Sequence, residues 1–321
     1  MAIPDPLSSV YGVDTLVQEW IQYLSISELA DTTVINHRSR IRTFAKWANE
    51  TRGIPAHDLR EMNNHHLRKY MRFRKLNGIS DGTRLLDWIT LKKFFEWLMK
   101  EEPEAFPENP MKEVERPPQT KRIIQFASAD EFDKILETCD NTPLGRRDTA
   151  ILLLLRDTGV RASELLKIKQ RDIFWHQNTI HIHATKTRDE RLVAYGDATA
   201  LALSRYKRVR PTFPYADSDY FFIGYKGPLR YAGLRYMLKK RSEQAGVYVK
   251  AHGLRHLWVH EEKEAGASDD FLQVLGGWNS KAMLEVYAEA RIEERALNEY
   301  KEKRLSPVDR RYSRNPRARR R

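Results

Sequence analysis

Several features that define other protein classes are scarce or missing in this sequence. It has one cysteine, Cys139, among 321 residues, which excludes an intramolecular disulfide and a metal cluster built on several thiolates. No stretch approaches the roughly 18 consecutive apolar residues of a membrane-spanning helix. The first residues, MAIPDPLSSVYG, lack the basic segment and apolar run of a secretion signal. We therefore expect a soluble protein of a reducing cytoplasm, with no membrane partner.

The charge is positive and unevenly distributed. The formal net charge is +12, and residues 301–321 carry ten basic and two acidic side chains, so the tail holds most of the excess. A positive excess is typical of proteins that bind a polyanion such as nucleic acid. The basic tail, 305–321, fits either a DNA-contacting arm or a solvated extension, and bulk charge does not choose between them.

The first third of the chain has the apolar spacing of helices. Apolar residues recur every three or four positions in 14–24, 31–49, 63–77 and 83–101, which predicts a small helical bundle. Residues 103–122 contain five prolines and no helical pattern, so we expect an extended chain there. These patterns place a helical domain at 1–115 and a linker at 116–124.

Two groups of basic residues without intervening acids lie in the predicted helices. Such groups suit phosphate binding, although a solvated helix face has the same composition. The candidates for DNA contacts are Arg38, Arg40, Arg42, Lys46, Arg68, Lys69, Arg72 and Lys75.

The second domain, 125–304, mixes helical and strand patterns. Ser128 followed by Glu131 predicts a capped helix start, and ILLLL (151–155) predicts a buried helix. The alternation in 178–184 and 191–196 predicts a β-hairpin with KTRDE as its turn. Helical patterns follow at 198–208, 229–245, 252–265, 269–275 and 280–300. The chain is thus expected to be mostly α with a small antiparallel β-sheet.

Four segments of this domain concentrate residues with catalytic potential. They are DTGVRASELL around Arg161, HATKTRDERLV around Lys186, HGLRH at 252–256 and LGGWNSKAMLEVY ending at Tyr287. Each has an ordinary explanation when taken singly: an arginine at a helix start is usually at the surface, and a tyrosine on an amphipathic helix is usually in the core. Their order and spacing together are more specific.

Together the four segments resemble the signature of the tyrosine recombinase, or phage integrase, family, in the family's order. Arg161 lies in a TG-x-R-x-x-E-L context like that of the first catalytic arginine, with Glu164 as its usual acidic companion. Lys186 matches the lysine in the hairpin turn. The H-x-x-R motif is matched by His252 and Arg255.

The rest of the signature lies around the end of HGLRH and in the last segment. His256 follows the H-x-x-R motif, as a histidine often does in the family. Tyr287 matches the nucleophile, at the usual distance after an L-G-G-H/W motif in which Trp278 takes the last position. An indole cannot carry a proton back and forth, so Trp278 is expected to stabilise charge and to pack the nucleophile helix.

The resemblance implies phosphoryl transfer, and the chemistry of these residues suits it. Attack on a phosphodiester concentrates negative charge on two non-bridging oxygens, which Arg161 and Arg255 can hold through paired N–H donors. Tyr287 would attack, and His252 would accept its proton, because a phenol of pKa ~10 must be deprotonated first. Lys186 would protonate the departing 5′ oxygen.

The resemblance also implies an architecture and an assembly. A helical SAM-like core-binding domain and an α+β catalytic domain would form a two-domain clamp around double-stranded DNA. A homotetramer would hold two DNA sites and exchange strands in pairs through 3′-phosphotyrosine bonds and a Holliday junction. Residues 290–300 are the candidate for a segment that packs on a neighbouring protomer.

Neither a cofactor nor a metal is expected. A phosphotyrosine bond keeps the energy of the broken bond, so rejoining needs no ATP, and no Gly-rich phosphate loop is visible in the sequence. His181 and His183 fall on one strand face without an evident third ligand. His260 and Glu261 lack the second histidine of a zincin helix.

Several functions share this signature. The leading interpretation is an integrase of a phage or mobile element, and the carboxy-terminal segments resemble integrases of actinobacterial phages and mobile elements. An Xer-like dimer-resolving recombinase and a tyrosine transposase are alternatives with the same chemistry, and a non-catalytic DNA-binding regulator is an alternative without it. Because helices begin near residue 14, we expect no arm-binding domain before them.

The partners and location follow from this interpretation. An accessory DNA-bending or directionality factor is a candidate partner. We expect the protein in the cytoplasm of a prokaryotic host, associated with the nucleoid when it is bound to DNA.

Overall fold

The chain consists of two compact units in a computed structural model. The units are Met1–Arg122 and Ile123–Arg321. The structure describes residues 15–27, 29–52, 59, 62–104, 108–119, 127–183, 190–280, 284, 300 and 303. The division falls inside the predicted linker, 116–124, and the roles assigned to the two domains stay predictions.

The first unit is a helical bundle, as its apolar spacing predicts. Its helices are α1 (Thr15–Ile26), α2 (Asp31–Arg52), α3 (Asn64–Leu76) and α4 (Asp81–Glu101). Aromatic rings fill the core between them: Trp20 meets Phe94 edge to face at 5.3 Å, and Phe44 meets Tyr70 at 5.0 Å. Such pairs add directional contacts to the burial of large apolar surfaces.

Side-chain caps set the helix starts in this unit. Asn63 accepts a hydrogen bond from the backbone N–H of His66 at the start of α3. Ser80 accepts one from the backbone N–H of Thr83, so α4 begins at Asp81, two residues before the apolar pattern. Between the two helices Gly78 has a φ of 71°, which lets the chain turn sharply from one to the next.

The second unit is mainly helical around a small sheet. Its elements in chain order are α5 (Ala129–Glu137), α6 (Pro143–Thr158), α7 (Ala162–Leu165), β1 (Ile173–Phe174), β2 (Thr179–Ile182), β3 (Arg191–Ala194), α8 (Asp197–Val209), β4 (Ile223–Gly224), β5 (Gly227–Pro228), α9 (Tyr231–Ala245), α10 (Ala251–Glu264) and α11 (Asp269–Gly276). At the start of α5, Ser128 and Glu131 form the predicted capping box. Most of the predicted 280–300 helix lies outside the described residues.

The sheet confirms the two predicted strands as an antiparallel pair and adds a third strand, whereas most of the predicted turn, KTRDE, lies outside the described residues. β1, β2 and β3 are antiparallel in that order, and Ile180 of β2 pairs with Ile173 of β1 on one side and with Val193 of β3 on the other. β1, β4 and β5 were not predicted, because two residues are too few to show strand alternation. No helix among the described residues has both the length and the apolar character needed to cross a membrane.

A buried ion cluster joins α6 to α9. Asp148 is 4% exposed and accepts hydrogen bonds from Arg147 at 2.7 Å and from Arg241 at 2.8 Å. Arg241 also donates to the carbonyl of Thr138 at 2.6 Å, and Arg147 to that of Ile223 at 3.3 Å. Each charge is therefore paired within the low-dielectric interior, and removal of one partner leaves the others uncompensated.

We predict that Asp148→Asn lowers the free energy of unfolding by about 3 kcal/mol or more, because two buried guanidinium groups lose their carboxylate. Urea denaturation followed by circular dichroism measures this change. The matched control is Glu243→Gln on α9, whose exposed pair with Lys239 spans 3.6 Å and should contribute less than about 1 kcal/mol. Equal effects of the two substitutions would contradict a stabilising role for the buried cluster.

Candidate active site

The last carbonyls of α11 receive arginine side chains from three other parts of the second unit. Arg161 donates to the carbonyls of Gly276 and Gly277, both at 2.9 Å. Arg255 donates to the same Gly276 oxygen at 2.7 Å, and Arg191 donates to the carbonyl of Leu275 at 2.7 Å. A helix end presents unsatisfied carbonyls and the negative end of its dipole, and both attract cations. One oxygen thus holds the Arg161 and Arg255 guanidinium groups within a few ångströms of each other.

The two glycines before Trp278 make this contact sterically feasible. Gly277 has a φ of 64°, in the left-handed region, and a Cβ there would lie 2.8 Å from Nη1 of Arg191. A Cβ on Gly276 would lie 1.9 Å from the ring of Trp278. A side chain at either position would displace the arginine or the indole.

Glu164 ties Arg161 to the β-hairpin. Its carboxylate accepts from the Arg161 side chain at 3.0 Å and from the Arg161 backbone N–H at 2.9 Å, and it accepts from Arg191 at 2.7 Å. Burial favours the neutral carboxyl group, but hydrogen bonds and positive charge from Arg191 and Arg161 outweigh it and lower the pKa of Glu164 to about 2. The stabilisation from this ionised group is present above its ordinary pKa and is lost as the pH falls toward 2.

Trp278 forms the floor beneath the two arginines. Cζ of Arg255 lies 3.8 Å from the centroid of the Trp278 ring, and Cζ of Arg161 lies 5.9 Å from it. Trp278 also stacks with Trp258, with ring centroids 6.2 Å apart. Arg255 is 1% exposed and also donates to the carbonyl of Gly159 at 2.5 Å. Contact with an aromatic face favours a buried cation, so the indole helps to hold Arg255 in place.

Two histidines of α10 complete the group. His252 lies one turn before Arg255, and the His252 and His256 rings meet edge to face at 4.6 Å. Partial burial, followed by the positive charges of Arg255 and Arg161, lowers the pKa of His252. Burial, followed by contributions from His252 and Arg255, lowers the pKa of His256 to about 4. Both rings are therefore neutral near pH 7, and a neutral imidazole can accept a proton.

The four central side chains open onto a shared groove. A cavity of about 980 Å³ is lined by Arg161, His252, Arg255 and Trp278, together with residues of α9 such as Tyr231 and Arg235. Positive donors thus lie beside a neutral proton acceptor in a space open to solvent. That combination suits a reaction in which an anionic group is bound and a nucleophile beside it loses a proton.

The structure brings together six of the eight predicted catalytic and supporting residues of the second unit. They are Arg161, Glu164, His252, Arg255, His256 and Trp278. Lys186 and Tyr287 lie outside the described residues. Leu284, three positions before Tyr287, is 1% exposed and belongs to the same buried cluster as Trp278.

Arg191 is a member of this site that the sequence analysis missed. It contacts Glu164 and α11 together and so links the base of the hairpin to the arginine pair. Its only signal in the sequence is its place at the start of a strand that follows a charged turn. The sequence analysis also missed Asp172, which lies outside this site and contacts one of the two strand histidines: its Oδ1 lies 2.9 Å from Nε2 of His183.

The basic residues predicted to contact DNA have different environments in the first unit. Arg40 is bound to Asp87 at 2.9 Å, and Arg74 binds the same carboxylate at 2.9 Å, with the Asp87 side chain 3% exposed. The charge of Arg40 is thus compensated internally. In contrast, Arg38 and Lys46 are exposed along α2.

On α3 the basic residues border a groove. Arg68, Arg72 and Lys75 line a cavity of about 580 Å³, in which Glu113 binds Arg68 at 2.8 Å. Their spacing of four and three residues places them on one helix face. Lys69 is half-buried on a neighbouring face, and Arg42 on α2 is half-buried as well.

Comparison with known proteins matches both units. Residues 125–294 match the phage integrase family, and residues 17–102 match the phage integrase N-terminal SAM-like domain. Over 282 residues the chain is 29% identical to tyrosine recombinase XerC of Bacillus pumilus, which covers 85% of this chain and 90% of that protein.

Solved structures share the fold. A lambda integrase dimer bound to a COC′ core site has a TM-score of 0.70 at 19% identity, covering 86% of this chain and 77% of that one. The Tn1549 transposon integrase in complex with a circular intermediate DNA has a TM-score of 0.68 at 16% identity, covering 88% and 98%. Since the family match spans more than half of the sequence, the chain belongs to the phage integrase family.

Proposed function

We propose that this protein is a site-specific integrase that inserts or excises a phage or mobile element through a 3′-phosphotyrosine bond to Tyr287. As a member of the phage integrase family the chain is a tyrosine recombinase, an enzyme that breaks and rejoins DNA. The proposal adds the type of element, the roles of individual residues and the assembly on DNA.

The main support for the proposed catalytic roles is that Arg161 and Arg255 both donate to the Gly276 oxygen. Two guanidinium groups a few ångströms apart match the two non-bridging oxygens of one phosphodiester. Both groups lie beside the groove, so a local exchange of their carbonyl contacts for phosphate oxygens would bring the two positive charges to the developing negative charge and stabilise it. Glu164 and Trp278 act on Arg161 and Arg255 as positioning residues.

Tyr287 is the proposed nucleophile and His252 its proton acceptor. The lowered pKa of His252 keeps the ring neutral and able to accept the phenolic proton near pH 7. Support for Tyr287 comes from Leu284, which is buried in the Trp278 cluster three positions earlier in the chain.

Lys186 is the proposed general acid for the departing 5′ oxygen. It lies between β2 and β3 in the sequence, and Arg191 fastens the start of β3 to Glu164 and to α11. Lys186 is five positions from Arg191 along the chain, which supports a role for Lys186 at the arginine pair. A lysine near several guanidinium groups also gives up its proton more readily than one in water.

Double-stranded DNA is the proposed partner of both units. The faces formed by Arg38, Arg42 and Lys46 on α2 and by Arg68, Arg72 and Lys75 on α3 would contact phosphates. Lys69 would assist on α3, and the internal pair with Asp87 gives Arg40 a mainly structural role. The basic tail would add contacts, and a homotetramer on two sites would carry out strand exchange.

An Xer-like dimer-resolving recombinase is the second candidate function. The 29% identity to XerC over 90% of that protein favours it. The carboxy-terminal segments that resemble integrases of actinobacterial phages favour the first candidate. A plasmid that carries the DNA flanking the gene separates them: integration into a distinct attachment site supports an integrase, and resolution of plasmid dimers supports the Xer-like role.

We predict that Tyr287→Phe abolishes covalent protein–DNA complexes and leaves DNA affinity within about twofold, because only the attacking oxygen is removed. A nicked suicide substrate traps the covalent complex, which denaturing electrophoresis then separates. The matched control is Tyr225→Phe, since Tyr225 is an exposed tyrosine of the second unit outside the groove, and this variant should cleave DNA normally. Covalent trapping by the Tyr287→Phe protein would show that another residue is the nucleophile.

The pH profile of cleavage tests His252. Since burial and the nearby arginines lower the pKa of His252 from its ordinary 6.5, the wild-type ring is mainly neutral at pH 6.5, and cleavage should fall only at more acidic pH. His252→Gln should slow cleavage by about 10²-fold or more near pH 7 and remove this acidic limb. Single-turnover cleavage from about pH 5 to 8 measures both effects, with exposed His176→Gln as control. An unchanged acidic limb in His252→Gln would assign the titration to another group.

A further inference from the structure

Two histidines and a buried carboxylate meet at the base of the β2–β3 hairpin. One ligand atom from each of Asp172, His181 and His183 lies within 4.8 Å of the other two. Nε2 of His183 is 2.9 Å from Oδ1 of Asp172, and the two imidazole rings are 4.5 Å apart. A second carboxylate is adjacent, because Nε2 of His181 is 3.1 Å from Oε2 of Glu190.

The strand register produces this cluster. His181 and His183 alternate along one strand and therefore lie on the same face of the sheet. The β1–β2 ladder pairs Ile173 with Ile180, so one further step places Asp172 beside His181. The β2–β3 ladder pairs Ile182 with Arg191, so one further step places Glu190 beside His183. Three chain segments thus contribute to one point, which the spacing of the histidines alone did not reveal.

Asp172 has the environment of a preorganised ligand. Its side chain is 4% exposed, and its Oδ2 accepts a hydrogen bond from the backbone N–H of Lys169 at 2.8 Å. That bond fixes the carboxylate plane and leaves Oδ1 directed at His183. Hydrogen bonds of this kind orient the ligands of protein metal sites and raise metal affinity.

We infer that Asp172, His181 and His183 bind a divalent transition metal ion, with Zn²⁺ as the preferred ion and Glu190 within reach as a fourth ligand. Two imidazoles with one or two carboxylates are a donor set that Zn²⁺ accepts, and the two carboxylates offset the charge of the ion. Ligand atoms of a tetrahedral zinc site are about 3.4 Å apart, so side-chain rotations of roughly 1 Å bring these atoms into position.

Metal binding would fasten the base of the hairpin. The ion would connect Asp172, which precedes β1, with His181 and His183. Through Glu190 it would also connect them to the start of β3. Lys186 lies between His183 and Glu190 in the sequence, so an effect of the ion on DNA cleavage rests on the proposed function. Metal binding itself does not depend on that function.

The test is a Zn²⁺ titration of the full-length chain without a histidine tag and without DNA, after removal of metals by a chelator. We expect one Zn²⁺ per chain by isothermal titration calorimetry and a rise in Tm when Zn²⁺ is added. His181→Gln and His183→Gln should each weaken binding at least about tenfold and lose the rise in Tm. Because the titration measures only metal binding, its result does not depend on whether the protein is a recombinase.

His176→Gln is the matched control, since His176 is an exposed histidine in the turn between β1 and β2 and lies outside the cluster. It should bind Zn²⁺ like the wild-type protein. In metal-free buffer both cluster variants should keep the wild-type Tm, which excludes misfolding as the cause of weak binding. Wild-type protein that binds no Zn²⁺, or His183→Gln protein that binds it as tightly as wild type, would overturn the inference.

Discussion

The contact between arginine side chains and the carboxyl end of α11 organises the second unit. Burial of guanidinium groups is unfavourable unless each is paired, and Arg255 is almost fully enclosed. The end of α11 offsets this cost with backbone oxygens, and Trp278 contributes an aromatic face. The two positive charges are therefore held together before substrate arrives, and charge that is already in place stabilises developing negative charge most effectively.

The site joins three elements that are distant in the sequence. Arg161 precedes the short helix α7, Arg255 lies on α10, and Arg191 begins β3, yet all three side chains donate to consecutive carbonyls. Glu164 pairs with Arg161 and Arg191, so the three arginines and Glu164 together bring three positive charges and one negative charge to the site. The local excess of positive charge attracts an anion to the groove, independently of the net charge of the chain.

The sequence indicated the residues of the candidate site better than the contacts that support them. Arg161, His252 and Arg255 could be found because their segments resemble the family's signature in its order, and their residue types suit phosphoryl transfer. Helix starts such as Ser128 could be found because a cap acts over four residues. Arg191, Asp172 and the pairing of Arg40 with Asp87 depend on contacts between residues distant in sequence, and local patterns do not contain that information.

Substrates with a neutral methylphosphonate at the cleaved position test the central claim most directly. Arg161 and Arg255 balance the negative charge of the non-bridging oxygens, so Arg161→Ala should slow cleavage of ordinary DNA by about 10²-fold or more. On the methylphosphonate substrate one charged oxygen is absent, and the same substitution should cost at least about tenfold less. An equal loss on both substrates, in a variant that keeps the wild-type Tm, would contradict the account.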